Sequence, residues 1–214
     1  MHRHRKNIVT AGADLETAEK AMIMVHGRGA TAEGILDVAG YLQVEGFALL
    51  APRASENTWY PFSFMAPAEQ NEPGLSTGLE VLGLAVQEVL KAGVSPESIY
   101  FLGFSQGACL TCEFLARNAG IYGGAFIYSG GVVGQHIDPS NYQGNFEGTP
   151  ILIGCSDKDP HVPLHRVKDT IKIFREMGAH VTERIYPNGP HTIFQDEIEL
   201  TNRILEKNEE NVNF

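Results

Sequence analysis

The stretch Ile99-Tyr100-Phe101-Leu102-Gly103-Phe104-Ser105-Gln106-Gly107 decides the fold expected for this chain. It opens with an apolar run typical of strands that are buried on both faces of a sheet. A Gly-x-Ser-x-Gly turn follows, and residues 106–118 then have a helical pattern that ends before Gly120. Strand, tight turn and helix in succession predict that Ser105 lies just beyond the C-terminal end of its strand, beside the N-terminus of a helix. A helix N-terminus stabilises negative charge. The plainer alternative is a glycine-rich turn that carries a surface serine.

Similar short apolar runs alternate with helical stretches along the chain. Further strands are predicted at 21–25, 47–51, 125–128 and 151–154, with more polar edge candidates at 7–10 and 181–186. Helical stripes lie at 79–89, 164–174 and 194–205, and Thr77-Gly78-Leu79-Glu80 matches a capping box at the start of the first. This alternation predicts one α/β domain over residues 1–214, with a mostly parallel sheet and helices on both faces.

Composition and charge exclude several classes of protein. The chain has 214 residues, of which 43% are hydrophobic and 20% charged, so it is not a mainly disordered chain. With 16 Lys+Arg against 26 Asp+Glu, the net charge is −10, which argues against nucleic acid or an anionic membrane as partners.

Localisation is read from what the sequence lacks. No apolar run reaches the length of a membrane span, so no membrane insertion is expected. The basic N-terminal residues have no apolar segment after them, and we expect His2 and His4 to be disordered. The odd, sparse cysteines Cys109, Cys112 and Cys155 do not resemble a secreted disulfide framework, and their thiols are expected to pack in the core of a cytoplasmic protein.

A serine hydroxyl needs a base to act as a nucleophile at neutral pH, and the chain offers one. His191 lies in a loop between the predicted strand 181–186 and the last helix. An acid that orients this histidine is expected after the strand 151–154, where Asp157 and Asp159 are both candidates. These residues all follow predicted parallel strands, at the edge where open α/β sheets bind ligands.

The glycine-rich turn His26-Gly27-Arg28-Gly29 after the first strong strand is the candidate for an oxyanion hole. Its backbone would direct one N–H group at the substrate, and the N–H of Gln106 would supply the second. The side chain of Arg28 is then either incidental or a reader of substrate charge. The plainer alternative is an ordinary turn at the end of a strand.

Two further groups of residues invite a functional interpretation. The long loop between Pro52 and Gly74 is expected to cover the site and to limit it to short and medium acyl chains. Its aromatic residues either fill the core or wall an acyl pocket, and they are Trp59, Tyr60, Phe62 and Phe64. His161 and His165 have the i, i+4 spacing of metal ligands, but two prolines interrupt the segment and no metal is expected.

Together these motifs resemble the phospholipase/carboxylesterase family of small serine hydrolases, relatives of acyl-protein thioesterases. The matching stretches are Val25-His26-Gly27-Arg28-Gly29, Gly103-Phe104-Ser105-Gln106-Gly107-Ala108, Asp159-Pro160-His161-Val162-Pro163 and Gly189-Pro190-His191. The resemblance implies an α/β-hydrolase fold with little or no cap. It also implies that Ser105 is the nucleophile, His191 the base and Asp159 the acid, with Arg28 and Gln106 at the oxyanion hole.

The activity implied by the resemblance is hydrolysis of a small-molecule carboxylic ester or thioester through an acyl-enzyme, without a cofactor. Relatives often dimerise, so a homodimer is left open. Two other functions fit the same fold: a catalytically silent protein that binds a small ligand, and a small peptidase. The intact set of Ser105, Asp159 and His191 argues against the first, and the short chain, with little room to hold a peptide, argues against the second.

Overall fold

A computed structural model describes residues 3–210, with side chains as far as residue 206. Seven strands of this part form a sheet in the order β1-β3-β2-β4-β5-β6-β7. They are β1 (Ile8–Gly12), β2 (Lys20–Val25), β3 (Phe47–Pro52), β4 (Ile99–Phe104), β5 (Gly124–Tyr128), β6 (Pro150–Ser156) and β7 (His180–Tyr186). Only β1 is antiparallel, to β3. The mostly parallel sheet and the edge positions of its first and last strands were both predicted, and both are confirmed.

Helices cover both faces of the sheet. They are α1 (Ala32–Leu36), α2 (Gly74–Lys91), α3 (Gln106–Arg117), α4 (Leu164–Glu176) and α5 (Gln195–Glu210). Because side chains alternate across a strand, Ile23 and Phe101 pack with α2, α3 and α4, whereas Met22 and Leu102 pack with α1 and α5. The predicted α/β architecture with two helical layers is confirmed.

The start of α2 is a correction. The capping box predicts a helix that begins at Thr77, but α2 begins one turn earlier, at Gly74. The Thr77 hydroxyl donates to the carbonyl of Pro73 at 2.7 Å and accepts from the backbone N–H of His4 at 3.1 Å. Thr77 therefore ties the N-terminal segment to the helix instead of capping it.

His4 is not disordered, contrary to expectation, while His2 lies outside the described residues. The His4 ring is buried and lies edge-on to Trp59, with the two ring centroids 5.2 Å apart. Nε2 lies 2.7 Å from the Trp59 carbonyl oxygen, and Nδ1 accepts from the N–H of Ser55 at 3.0 Å. The N-terminal segment is thus part of the packing behind the long loop.

Candidate active site

The turn that carries Ser105 joins β4 to α3 through a backbone conformation that is rare for a residue with a side chain. Ser105 has φ 55° and ψ −121°, and this conformation exposes its hydroxyl beyond the C-terminal end of β4. The two flanking glycines make the turn fit. A Cβ at Gly107 would lie 2.2 Å from the Val25 carbonyl oxygen, and one at Gly103 would lie 2.7 Å from Ala108 Cα. The spacing Gly-x-Ser-x-Gly is therefore a steric requirement of this turn.

The structure brings Ser105, His191 and Asp159 into one chain of hydrogen bonds. His191 Nε2 lies 2.8 Å from Ser105 Oγ, and His191 Nδ1 lies 2.6 Å from Asp159 Oδ2. Since a carboxylate can only accept, Nδ1 carries the ring proton and Nε2 is free to accept from the serine hydroxyl. This arrangement can remove a proton from Ser105 while the carboxylate stabilises the resulting imidazolium.

The surroundings of Asp159 favour the ionised form of its carboxyl group. Its side chain is fully buried, and Oδ1 accepts from the backbone N–H groups of His161 and Val162 at 2.8 and 2.9 Å. Burial works to raise the pKa of the Asp159 carboxyl, but the hydrogen bonds from His191 and the two amides outweigh it and hold the pKa below its ordinary value. Asp157, the other candidate, instead accepts from the N–H of Asn188 at 2.7 Å and so supports the turn before His191.

The loop of His191 has anchors that the sequence analysis missed. Ser156, at the end of β6, donates to the carbonyl of Gly189 at 2.7 Å. Glu197 Oε2, in the first turn of α5, accepts from the N–H of Phe194 at 2.7 Å, and Glu197 Oε1 is buried without a partner in the described part of the chain. Burial raises the pKa of Glu197 to about 8. No local pattern marks these residues, because their partners lie on other elements.

The two proposed oxyanion residues lie beside Ser105. A Cβ at Gly27 would be 3.3 Å from Ser105 Cβ, so the turn that precedes Arg28 touches the nucleophile. Gln106 is the first residue of α3, and its N–H therefore has no acceptor within the helix. The two residues thus flank Ser105, and their role as oxyanion donors stays a prediction.

Their side chains have a second role, which the sequence did not indicate. The Gln106 amide accepts from the N–H of Trp59 at 3.0 Å and donates to the carbonyl of Tyr60 at 2.8 Å. The Arg28 guanidinium donates to the carbonyls of Pro61 and Phe62 at 2.9 and 2.7 Å. Residues 59–62 are therefore held by the same two residues whose amides flank Ser105.

A cavity of about 480 Å³ opens at Ser105 and His191. Tyr60, Phe62 and Phe64 line it, as the pocket hypothesis expected. The side chain of Cys109 lines it as well, and burial raises the pKa of this thiol to about 12, so it is no rival nucleophile. The three cysteines are all free and buried, as predicted.

The expectation that Trp59 walls the pocket is wrong. The Trp59 side chain is fully buried behind the cavity, and its Nε1–H donates to the carbonyl of His26 at 2.9 Å. The His26 ring lies 5.2 Å from it, and burial lowers the pKa of His26. A buried indole N–H needs an acceptor, and the carbonyl of His26 supplies it. Through this hydrogen bond Trp59 supports the turn before Arg28.

His161 and His165 do not form a metal site with other residues of the described chain. Among the side chains that the structure describes, in residues 3–206, no group of three or more His, Cys, Asp or Glu could hold a metal ion. The ring of His161 instead packs edge-on against His191, with the centroids 4.9 Å apart. In the same range no helix combines the length and apolar character needed to cross a membrane.

Known proteins resemble this chain in sequence and in structure. The family model described as Phospholipase/Carboxylesterase matches residues 6–209. The crystal structure of a phospholipase/carboxylesterase from Dyadobacter fermentans is 46% identical, with a TM-score of 0.94, and the match covers 96% of this chain and 99% of that one.

Two acyl-protein thioesterases are more distant relatives over nearly the full length. Acyl-protein thioesterase 1 of Kluyveromyces lactis is 28% identical over 94% of this chain and 97% of its own. The Saccharomyces cerevisiae protein of the same name is 26% identical over 90% and 94% of the two chains. The chain therefore belongs to the phospholipase/carboxylesterase family of α/β-hydrolases, and it is a hydrolytic enzyme of the esterase and thioesterase class.

Proposed function

We propose that this protein is a serine carboxylesterase or thioesterase that works through an acyl-enzyme formed on Ser105. The observation that carries the proposal is the pair of short contacts from His191, 2.8 Å to Ser105 Oγ and 2.6 Å to Asp159 Oδ2, at the floor of an open apolar cavity. A nucleophile, a base and an orienting acid in one line are the arrangement that acyl transfer needs.

In the proposed mechanism, Ser105 Oγ attacks the carbonyl carbon of the ester while His191 Nε2 takes the hydroxyl proton. The N–H groups of Arg28 and Gln106 bind the oxyanion of the tetrahedral intermediate. His191 then protonates the leaving alcohol or thiol. Water, activated by His191, hydrolyses the acyl-enzyme and restores the serine. The chemistry needs no metal or cofactor.

Other parts of the proposal concern where the enzyme works and in what form. We propose a single domain acting on small-molecule esters in the cytoplasm. The three unpaired, buried thiols support a reducing compartment. A homodimer remains a hypothesis, which gel filtration of the purified protein checks.

The test is active-site labelling combined with a substitution. A serine-directed fluorophosphonate should add one label per chain at Ser105, located by peptide mass spectrometry. Ser105→Ala should abolish the label and lower kcat for 4-nitrophenyl butyrate by about 10³-fold or more, with the fold intact by circular dichroism. Ser95→Ala, at an exposed position, is the control and should keep both label and rate.

Three outcomes would contradict the proposal. A parent protein that folds but neither takes the label nor cleaves esters would favour a silent ligand binder. Cleavage of peptide amides at rates comparable to esters would favour the peptidase. An alanine variant that retains activity would remove Ser105 from the mechanism. Matched oxygen esters and thioesters of one acyl group then decide between the two substrate classes.

A further inference from the structure

The cavity at Ser105 has a different charge from the rest of the molecule. The chain carries a net charge of −10, yet the cavity lining contains no aspartate or glutamate. The lining does contain Arg28, together with His161 and His191. The carboxylate of Asp159 is fully buried and accepts hydrogen bonds from His191 and two backbone amides. A substrate that enters here meets a positive charge with no opposing carboxylate in the lining.

The guanidinium of Arg28 is held in place but its charge is not neutralised. Its two described partners are the neutral carbonyls of Pro61 and Phe62. An arginine has five N–H donors, so three remain for a ligand. Among the residues the structure describes, no carboxylate forms an ion pair with Arg28. Because the side chain is already ordered by two hydrogen bonds, an anion that binds it pays little additional ordering entropy.

The position of Arg28 limits where such an anion can lie. Its backbone follows Gly27, which touches Ser105, and its side chain reaches the cavity wall at Phe62. The guanidinium therefore lies at the part of the cavity wall formed by residues 61 and 62, in the cavity that also contains Ser105. An anion bound there can therefore belong to the same small molecule as the ester that Ser105 attacks.

We propose that the substrates of this enzyme are esters or thioesters that carry a carboxylate or similar anionic group, which the Arg28 side chain binds. The inference rests on the proposed hydrolase function and adds a substrate class to it. A fixed guanidinium and an anion form charge-assisted hydrogen bonds, about twice as strong as neutral ones. The anion lies either on the acyl group or on the leaving group, and the experiment separates the two.

The experiment compares pairs of esters that differ in one charge and one methyl group. For the acyl side, the pair is mono-4-nitrophenyl adipate and its methyl ester. For the leaving-group side, the pair is 4-carboxyphenyl butyrate and the methyl ester of that carboxyl group. In the full chain, kcat/KM should be about tenfold or more higher for the acid than for its methyl ester in one of the two pairs. That pair identifies the side on which the anion lies.

Substitutions at Arg28 assign the preference to its side chain. Arg28→Met should bring the acid-to-ester ratio close to one, and Arg28→Lys should keep part of it because the charge remains. Both variants are expected to lose overall rate, since Arg28 also holds residues 61 and 62, but a general loss cancels in the ratio. Arg203→Met, on the exposed side of α5, changes the net charge equally and should leave the ratio unchanged. Raising the salt from about 10 mM to about 1 M should lower the ratio in the parent chain and in Arg203→Met, but not in Arg28→Met.

The outcomes separate this inference from the function on which it rests. Hydrolysis of the methyl esters with a ratio near or below one in both pairs overturns the anionic substrate class and leaves the hydrolase standing. A preference that persists in Arg28→Met overturns the role of Arg28. Failure to cleave any of the four esters, with Ser105 unlabelled, overturns both proposals.

Discussion

The side-chain amide of Gln106 donates a 2.8 Å hydrogen bond to the carbonyl of Tyr60, while the same residue begins the helix behind the nucleophile. Its amide oxygen also accepts from the N–H of Trp59 at 3.0 Å. Gln106 thus binds the backbone of the loop at two successive residues, Trp59 and Tyr60. The backbone amide proposed for the oxyanion and the wall of the pocket are joined through a single buried residue.

We therefore expect Gln106→Glu to damage the site out of proportion to its size. A carboxylate can accept from Trp59, but it cannot donate to the Tyr60 carbonyl, and it buries a charge. The cost should be about 1–3 kcal/mol of stability, or about 5 °C in Tm, with lower kcat/KM. Thermal unfolding and ester kinetics measure both. Gln87→Glu, at an exposed position on α2, is the matched control and should change Tm little.

The two aspartates after β6 should differ strongly. Asp159→Asn removes the carboxylate that fixes the His191 tautomer, which in a well-studied triad lowers kcat about 10⁴-fold. Asp157→Asn keeps an oxygen that can accept from Asn188, so we expect a loss below about tenfold. Steady-state kinetics on one ester decides. A larger loss in Asp157→Asn would place the acid two residues earlier than proposed.

Acyl-chain preference should follow the wall of the cavity. Each buried CH₂ contributes about 0.8 kcal/mol, or nearly fourfold in kcat/KM, until the chain outgrows a space of about 480 Å³. We expect an optimum at short to medium 4-nitrophenyl esters and a flatter profile in Phe62→Ala, whose side chain lines the cavity but is 54% exposed.

Trp59→Ala is the contrasting variant for acyl-chain preference. Trp59 is fully buried behind the wall, so its removal should cost about 3–5 kcal/mol of stability. Rates that keep rising to long-chain esters in the parent protein would contradict a wall of this size.

The buried Glu197 predicts a particular pH dependence of stability. The carboxyl ionises near 4.5 when unfolded but holds its proton to about 8 when folded. Between these values the folded state binds more protons, so this contribution to stability falls as the pH rises and is lost above about 8. Glu197→Gln mimics the neutral acid, so its Tm relative to the parent should rise from pH 5 to pH 8.

Thermal unfolding at several pH values checks this, with Glu199→Gln, at an exposed position on the same helix, as the control. A Tm difference between Glu197→Gln and the parent that does not change with pH would show that Glu197 is ionised in the folded protein throughout this range.

The sequence predicted those features that depend on local pattern. Continuous apolar runs locate buried parallel strands, and a five-residue glycine pattern marks the turn around Ser105, although the steric requirement at Gly107 comes from Val25 on the neighbouring strand. His191 and Asp159 could be proposed because parallel strands end at one edge of the sheet. In the structure the two side chains are in hydrogen-bond contact, as the shared end of the parallel strands led us to expect.

What the sequence did not predict depends on contacts between distant segments. Thr77 matches a capping box, but its partners are His4 and Pro73, so tertiary contacts override the local pattern. Trp59 belongs to an aromatic cluster whose composition cannot distinguish a pocket wall from the layer behind it. The loop contacts of Arg28 and Gln106 join segments more than 30 residues apart and leave no periodic signal.

The positive φ of Ser105 has a consequence for how this protein can change. A side chain in that region costs about 1–3 kcal/mol, and only glycine adopts it without penalty. Ser105→Gly should therefore raise the thermal stability of the fold while removing the nucleophile. At this position selection for stability and selection for turnover oppose each other. A library of variants that is screened for heat resistance alone should therefore lose the nucleophile Ser105.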